Sequence, residues 1–380
     1  MAKLFYSMAG EGRGHATRVR ALVEPLRREH DVTLFASGDA YDLLKETYEG
    51  TDVGLHQIRG LRFHYNAKQK LSYRKTLMEA ARYLYRLPKL IRQFQELIRH
   101  LEPDLVITDF EPALPRAAKR MGVPFLSVDH QHFLTVSDFS GLPWFLQVST
   151  WVMAQVVRCY YSGQAETVVS SFYFPPLKRA TKNVTQVGVM LRPEIVNAKR
   201  ENGEHLLVYL RRREYENVLQ TLKSTSLPVK IYGLGERDRD ANLEFCPISV
   251  HQFIEDLASC RAVLCNAGNQ LVGEALYLEK PVFVLPEERN FEQEVNAHFL
   301  AREGTGTWCR VKEFSVERFN QFLNQLEEYR SRIDRNRLNG AQQTLQVIEK
   351  HLAAATAKVS VSDGHKKAKP RISLRPGSLL

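Results

Sequence analysis

Short apolar runs alternate with amphipathic helical stretches twice over along this chain, and that alternation limits its fold more than any other feature. The first series has strand-like runs near Lys3, Val32, Val53, Asp104 and Phe125, with shorter ones between Val168 and Gly188. The second begins at His205-Leu206-Leu207-Val208-Tyr209 and continues through Pro228 to Tyr232, Ala262 to Cys265 and Pro281 to Leu285. It finishes in helices from Ser315 to His351. Strands separated by helices run parallel, with helices on both faces of the sheet. At 380 residues and 44% apolar content the chain is too long for one ordinary core and apolar enough for two. The expectation is an α/β protein of two Rossmann-like, doubly wound parallel-sheet domains facing each other across a cleft, where ligands commonly bind. Residues 1–190 make the first and 191–354 the second, with Leu191-Arg192-Pro193-Glu194 and the polar Asn197 to Glu204 as the hinge. Residues 355–380, with Lys366, Lys367, Lys369, Arg371 and Arg375 among Ser, Pro and Gly, read as a disordered basic tail.

Two loops stand out. In the second series the apolar run Ala262-Val263-Leu264 delivers its carboxyl end to Asn266-Ala267-Gly268-Asn269-Gln270, and a helix begins directly after. Such a helix start aims free N–H groups at an anion, and Gly268 removes the Cβ that would hold a diphosphate away. Glu274, about one and a half turns into the helix, is a carboxylate suited to a vicinal diol such as a ribose. Glu292 and Gln293 open the next helix and suit sugar hydroxyls. In the first series the strand Lys3 to Met8 runs into Ala9-Gly10-Glu11-Gly12-Arg13-Gly14-His15, then into a helix with Val19, Leu22, Val23 and Leu26 as its apolar face. Three glycines in five residues permit a tight strand-to-helix crossing. The loop also suits a dinucleotide with Asp39 as the ribose acid, although His15 stands where that fingerprint wants its third glycine.

The spacing of Gly268, Glu274, Pro281, Pro286, Gln293 and Asn296-Ala297 resembles the signature of the two-domain (GT-B) glycosyltransferases, of both the UDP-glycosyltransferase and the MurG-like type. Phe253-Ile254-Glu255-Asp256-Leu257-Ala258 resembles the MurG-like segment that approaches the nucleotide base. Asn266 replaces the diphosphate-binding His of the UDP-glycosyltransferase signature, and Phe245 stands nearest to its Trp. The resemblance implies a nucleotide-sugar donor, with UDP as the nucleotide, bound by Phe253, Ile254, Asn266, Gly268, Asn269, Glu274, Glu292 and Gln293. No metal or other cofactor is obligatory. The Gly14-His15 pair resembles the glycine-histidine of the GT-B N-terminal loop, where the His faces the acceptor across the cleft, and Gly12 belongs to the same acceptor or phosphate loop. An imidazole, with an ordinary pKa near 6.5, suits a general base at neutral pH. Asp109, ending the strand Asp104 to Thr108 on the same sheet edge, is the group to orient it; its alternative role is a helix N-cap. Glu111 is a rival base. Asp129, His130 and His132 follow the next strand, where they read as acceptor-site groups or as a structural polar loop; as metal ligands they lack a further partner of suitable spacing. The implied reaction is transfer of a sugar, with inversion, onto a hydroxyl of a glycan, glycolipid or small molecule, as in making a cell-envelope polysaccharide. Alternatives on the same scaffold are a UDP-sugar epimerase and a non-catalytic nucleotide-sugar-binding protein.

Charge and cysteine usage bound the setting. Five cysteines without a CxxC pair point to free thiols in a reducing compartment. The first strand begins at Lys3 and no uncharged run is long enough to cross a bilayer, so a cytoplasmic protein is expected. The net charge of +10 is uneven: between Gly60 and His100 ten Lys or Arg, including Arg74, Lys75, Arg82, Arg86 and Arg92, face only Glu79 and Glu96. Nearby, Leu142 to Tyr161 carries Trp144, Phe145, Trp151, Val152 and Val156. These read either as a solvated basic face over a buried helix or as peripheral contact with an anionic membrane. No nucleic-acid-binding motif accompanies the charge, and no nucleic-acid partner is expected.

Overall fold

The computed structural model describes residues 1–10, 13–60, 73–210, 215–247 and 249–362. Gly12, the side chains of Arg74 and Lys75, and the basic positions from Lys366 to Arg375 lie outside the described residues. The first half runs β1 (Lys3–Met8), α1 (Arg13–Leu26), β2 (Asp31–Ala36), α2 (Gly38–Tyr48), β3 (Gly54–Gln57), α3 (Tyr73–Leu101), β4 (Leu105–Asp109), α4 (Ala113–Met121), β5 (Phe125–Asp129), α5 (Phe133–Val136), α6 (Trp144–Tyr160), β6 (Glu166–Ser170) and β7 (Val184–Val187). Its strands pair in the order 3-2-1-4-5-6-7, every pair parallel. The second half runs α7 (Pro193–Val196), β8 (Leu206–Tyr209), α8 (Glu216–Lys223), β9 (Val229–Tyr232), β10 (Arg237–Asp240), β11 (Leu243–Phe245), α9 (Val250–Ser259), β12 (Ala262–Cys265), α10 (Asn269–Tyr277), β13 (Val282–Val284), α11 (Phe291–Glu303) and β14 (Gly306–Trp308). Helices α12 (Val316–Asn324), α13 (Leu326–Ser331) and α14 (Ala341–Ser362) follow.

The second sheet has the order β10-β11-β9-β8-β12-β13-β14. Without β10 it repeats the doubly wound order of the first sheet up to β6, lacking a counterpart of β7, which places a topological switch point between β8 and β12 and another between β1 and β4. The two parallel-sheet domains are as expected, and β10 adds an edge strand that pairs antiparallel with β11. Its four residues, Arg237 to Asp240, are charged and exposed, as suits an edge that no helix covers.

Alternate strand residues feed opposite cores. Leu126 and Val128 of β5 join α1 and α14, with the apolar face of α1 (Val19, Leu22, Val23, Leu26) fully buried. Phe125 of the same strand joins α3, α4 and Tyr161 on the other face. A third core is not confined to one half: Phe133, Phe139, Leu146, Phe172 and Tyr173 pack with Val295, Ala297, Phe299 and Leu300 of α11. The Tyr173 and Phe299 rings stack at 4.3 Å and 6°. Burying one such ring contributes about 1.5–3 kcal/mol, so the two halves are joined by core and not by solvated contact alone.

The connection after β7 is a close crossing. A Cβ added at Gly273 of α10 would overlap Val189, and one added at Gly340 would overlap the Gly188 carbonyl oxygen. Gly340 N–H also donates to the Val189 carbonyl at 3.0 Å. The chain then turns into α14, which returns to the first half: Val347, Ile348 and Leu352 enter its core, Glu349 meets His30 at 2.9 Å, and His351 meets Glu166 at 2.9 Å. The helix is described as far as Ser362.

Gly340→Ala is expected to destabilise the protein by roughly 1–3 kcal/mol, because the methyl group meets backbone and not a side chain that can swing away. Urea unfolding of the two proteins measures it; equal midpoints would show that the crossing has room.

Candidate functional site

At the first switch point, β4 ends in Asp109 while α1 starts beside β1, so His15 and Asp109 meet across two neighbouring strands. His15 Nδ1 lies 3.0 Å from Asp109 Oδ1. Arg18, three residues on and therefore on the same face of α1, grips the same carboxylate with Nη2 on Oδ1 at 2.9 Å and Nε on Oδ2 at 3.0 Å. Its Nη2 is also 3.0 Å from His15 Nδ1. Burial alone would lower the Arg18 pKa, but Asp109 more than reverses this and holds the guanidinium charged. Asp109 is fully buried while part of the His15 side chain is exposed. When Nδ1 carries the proton it donates to Asp109 and leaves Nε2 free to act as a base. Gly14 is exposed, and a Cβ there would meet nothing within 4 Å.

The alternative of Asp109 as an N-cap is corrected by Glu111. Its carboxylate accepts the Ala113 and Leu114 N–H groups at 2.7 and 2.9 Å, and so caps α4 itself. Burial raises its pKa, against the pull of those N–H groups. The Asp129-His130-Gln131-His132 segment divides. His130, buried, faces the second half: its Nε2 is 3.3 Å from Asn296 Oδ1 and 3.9 Å from Glu292, and burial lowers its pKa despite Glu292. His132 turns to the opposite side, where its Nδ1 lies 2.7 Å from Asp129 Oδ2, and Ser127 and Tyr161 hydroxyls donate to the same oxygen. Burial by itself would raise the Asp129 pKa; the His132 ring and these hydrogen bonds hold it well below the usual carboxylate range. The three side chains do not converge as a ligand set.

In the second half α10 begins immediately after Gly268, whose missing Cβ would meet nothing within 4 Å. Open space therefore lies before a nine-residue helix start. Asn266 donates to Tyr215 and to the Leu285 carbonyl, both at 2.9 Å, and ties the loop to its neighbours. Asn269 bridges to the first half through Ser170 and Phe172. Glu274, 2% exposed, accepts from Arg192 at 3.0 Å and from Gln270 at 3.1 Å. Each of its oxygens has a second lone pair, so both remain able to accept one more hydroxyl. Gln293 accepts the Glu287 N–H at 2.8 Å, while Glu292 is partly exposed. Phe253 stands edge-on to Tyr209 and Tyr232 beside buried Ile254.

Three groups at the site were given no role of their own from sequence. Arg18 carries a signal, since it shares a helical face with His15. Arg192 lies in the hinge sequence, and nothing local marks it as the partner of a residue 82 positions away. Asn296 accepts from Tyr173 OH at 2.8 Å and donates to the Ala267 carbonyl at 2.9 Å, so it joins the first half to the Gly268 loop.

Two doubly wound sheets meeting at their switch-point edges define the GT-B architecture of glycosyltransferases. Solved structures of this kind align over nearly the whole chain. The calicheamicin glycosyltransferase CalG4 is 17% identical with a TM-score of 0.67, covering 93% of this chain and 98% of that one. MurG of Acinetobacter baumannii is 18% identical with a TM-score of 0.60, covering 92% and 100%. Glycosyltransferase VinC, solved in complex with dTDP, is 13% identical with a TM-score of 0.59, covering 92% and 100%. The chain belongs to glycosyl transferase family 1, whose model matches residues 2–327, and it is a glycosyltransferase. An uncharacterized glycosyltransferase of Methanosarcina acetivorans is 23% identical, covering 89% of this chain and 94% of its own.

Asp129→Asn is expected to cost about 1.5–3 kcal/mol at neutral pH through loss of its charge-assisted hydrogen bonds. A depressed folded pKa gives stability that is present above the unfolded value of about 3.9 and lost as pH falls through the folded one. The gap between wild type and variant in urea midpoints therefore narrows below about pH 4; a gap independent of pH would contradict the assignment.

Proposed function

We propose that the enzyme transfers a sugar from a nucleotide-sugar, with UDP as the nucleotide, to an acceptor hydroxyl with inversion at the sugar carbon. The single observation that carries this reading is the His15–Asp109 contact at 3.0 Å on the half opposite the open helix start at Gly268. His15 Nε2 takes the proton of the acceptor hydroxyl while its oxygen attacks the sugar C1. The bond from C1 to the diphosphate oxygen breaks on the opposite side, and the electron pair leaves with the diphosphate. Charge gathering there is stabilised by the α10 N-terminus, without an obligatory metal or other cofactor. Glu274, held by Arg192, takes the ribose diol. Phe253 and Ile254 border the base, and Glu292 with Gln293 take sugar hydroxyls. The dTDP found in VinC supports a nucleoside-diphosphate donor. The acceptor is a glycan, a glycolipid or a small molecule, and the setting is cytoplasmic, at the inner face of the membrane.

The membrane part of the reading is supported by α3, where Arg82, Arg86, Lys89 and Arg92 are exposed together with Leu84 and Tyr85. Among the described residues no helix is long and apolar enough to cross a bilayer, so contact is peripheral.

His15→Ala is expected to leave donor affinity unchanged and to lower transfer by about 10²- to 10⁴-fold, as for loss of a positioned base. Asp109→Asn lowers the rate too but adds little to His15→Ala, because members of one catalytic unit are not additive. Initial rates with a UDP-sugar and acceptor, alongside calorimetric titration of UDP, measure both. Near-normal turnover of the folded His15→Ala protein would remove His15 as the base.

Replacing Arg82, Arg86 and Lys89 with Gln should abolish sedimentation with anionic vesicles at low salt, and wild-type binding should weaken as salt screens the charges. Equal partitioning of the wild type to neutral and anionic vesicles would reduce this face to a solvated one.

A further inference from the structure

On the sheet face away from α1, a cavity of ≈ 360 Å³ opens between α5, the end of α6 and the loop that leads into β7. His132, Thr135, Arg158, Tyr161, Lys182 and Asn183 are among its lining residues. Its floor is the buried Asp129–His132 pair: Nδ1 of His132 is occupied by Asp129 at 2.7 Å, and Nε2, which makes no hydrogen bond among the described residues, remains for the cavity. Its mouth is cationic. Among the described residues Arg158 donates to the Gln155 amide oxygen alone, Lys182 is exposed, and neither has a carboxylate partner there. Burial lowers the Lys178 pKa, the nearby Arg158 charge adds to this, and Asp138 opposes it. None of the lining residues is acidic. A cavity with two cations at its rim and an imidazole nitrogen at its floor lacks one thing, a compact anion that can hydrogen-bond to all three.

We propose that this cavity is a binding site for a phosphate group, separate from the sugar-transfer site. Arg158 supplies paired N–H donors and Lys182 a point charge, while His132 Nε2 meets the anion from below, accepting from a protonated phosphate oxygen when the ring is neutral and donating when the ring carries both protons, with Asp129 fixing the ring. The site does not depend on the transfer reading, since His15, Asp109 and Gly268 take no part in it. Two sources carry this chemistry: free phosphate or a phosphomonoester in solution, and the headgroup of an anionic lipid. The second fits the flank of α6 that leads to the cavity, where Trp144, Trp151 and Arg158 follow at seven-residue intervals, and both tryptophans are exposed.

The test compares wild type with the double variant Arg158→Gln, Lys182→Gln, both exposed positions at which folding is undisturbed. Melting temperature is followed while inorganic phosphate replaces chloride at constant ionic strength, and sedimentation is measured with phosphatidylcholine vesicles with and without phosphatidic acid. The expected result is a phosphate-dependent stabilisation whose half-saturation rises by about tenfold or more in the double variant, as for loss of charge-assisted hydrogen bonds. Loss in the variant of phosphatidic acid-dependent sedimentation identifies the lipid headgroup as the source; loss confined to the phosphate shift identifies a soluble one. An identical phosphate response in the two proteins, with identical vesicle binding, overturns the proposal. A stabilisation that survives in the variant belongs to another site.

Discussion

The whole arrangement depends on the seam between the two halves. Phe299 stacks on Tyr173, and one turn earlier on the same helix Asn296 holds Tyr173, His130 and the carbonyl before Gly268 at once. A fully buried amide that satisfies partners from both sheets has one workable geometry, because any slip leaves polar atoms unpaired in a dry environment at about 1–3 kcal/mol each. The seam therefore fixes the register in which the carboxyl edges of the two sheets meet. Apolar packing supplies the strength and the amide supplies the position.

The two sides brought together by that register differ in what they offer. The first contributes a histidine whose orientation is set by a buried carboxylate, itself held by a buried arginine. The second contributes backbone N–H groups before open space. Side chains that hold protons and a helix end that holds negative charge complement each other across one cleft, and neither duplicates the other. Arg18 has a further effect. By taking both oxygens of Asp109 it leaves the carboxylate no freedom to rotate away from the ring.

Much of this was legible in the sequence because it depends on short-range pattern. Apolar runs of four to six residues marked most strands, and the parallel alternation put the ends of β1, β4 and β5 on one edge, which brought His15 and Asp109 into the same neighbourhood. Strands β10, β11 and β14 escaped because none is an apolar run: β10 is charged throughout, and the three-residue β11 and β14 each have a polar central residue, Glu244 and Thr307. The cap of α4 was ambiguous because Asp109 and Glu111 both precede the helix, and only the backbone path decides between them. His130 and His132 were read as one cluster, yet a turn begins between them and sends the rings to opposite sides. Glu274 with Arg192, and Asn296 with His130, are contacts between distant positions for which local spacing holds no information.

The return of α14 to the first half has a consequence for how the molecule comes into being. Val347, Ile348 and Leu352 fill the groove beside α1, yet they emerge from the ribosome only after the entire second sheet. Throughout synthesis the earlier-made half keeps an apolar face of α1 and β5 exposed to solvent, awaiting the last helix. The half translated first is thus the half completed last, and truncating the chain before α14 removes part of the core of the domain furthest away in sequence.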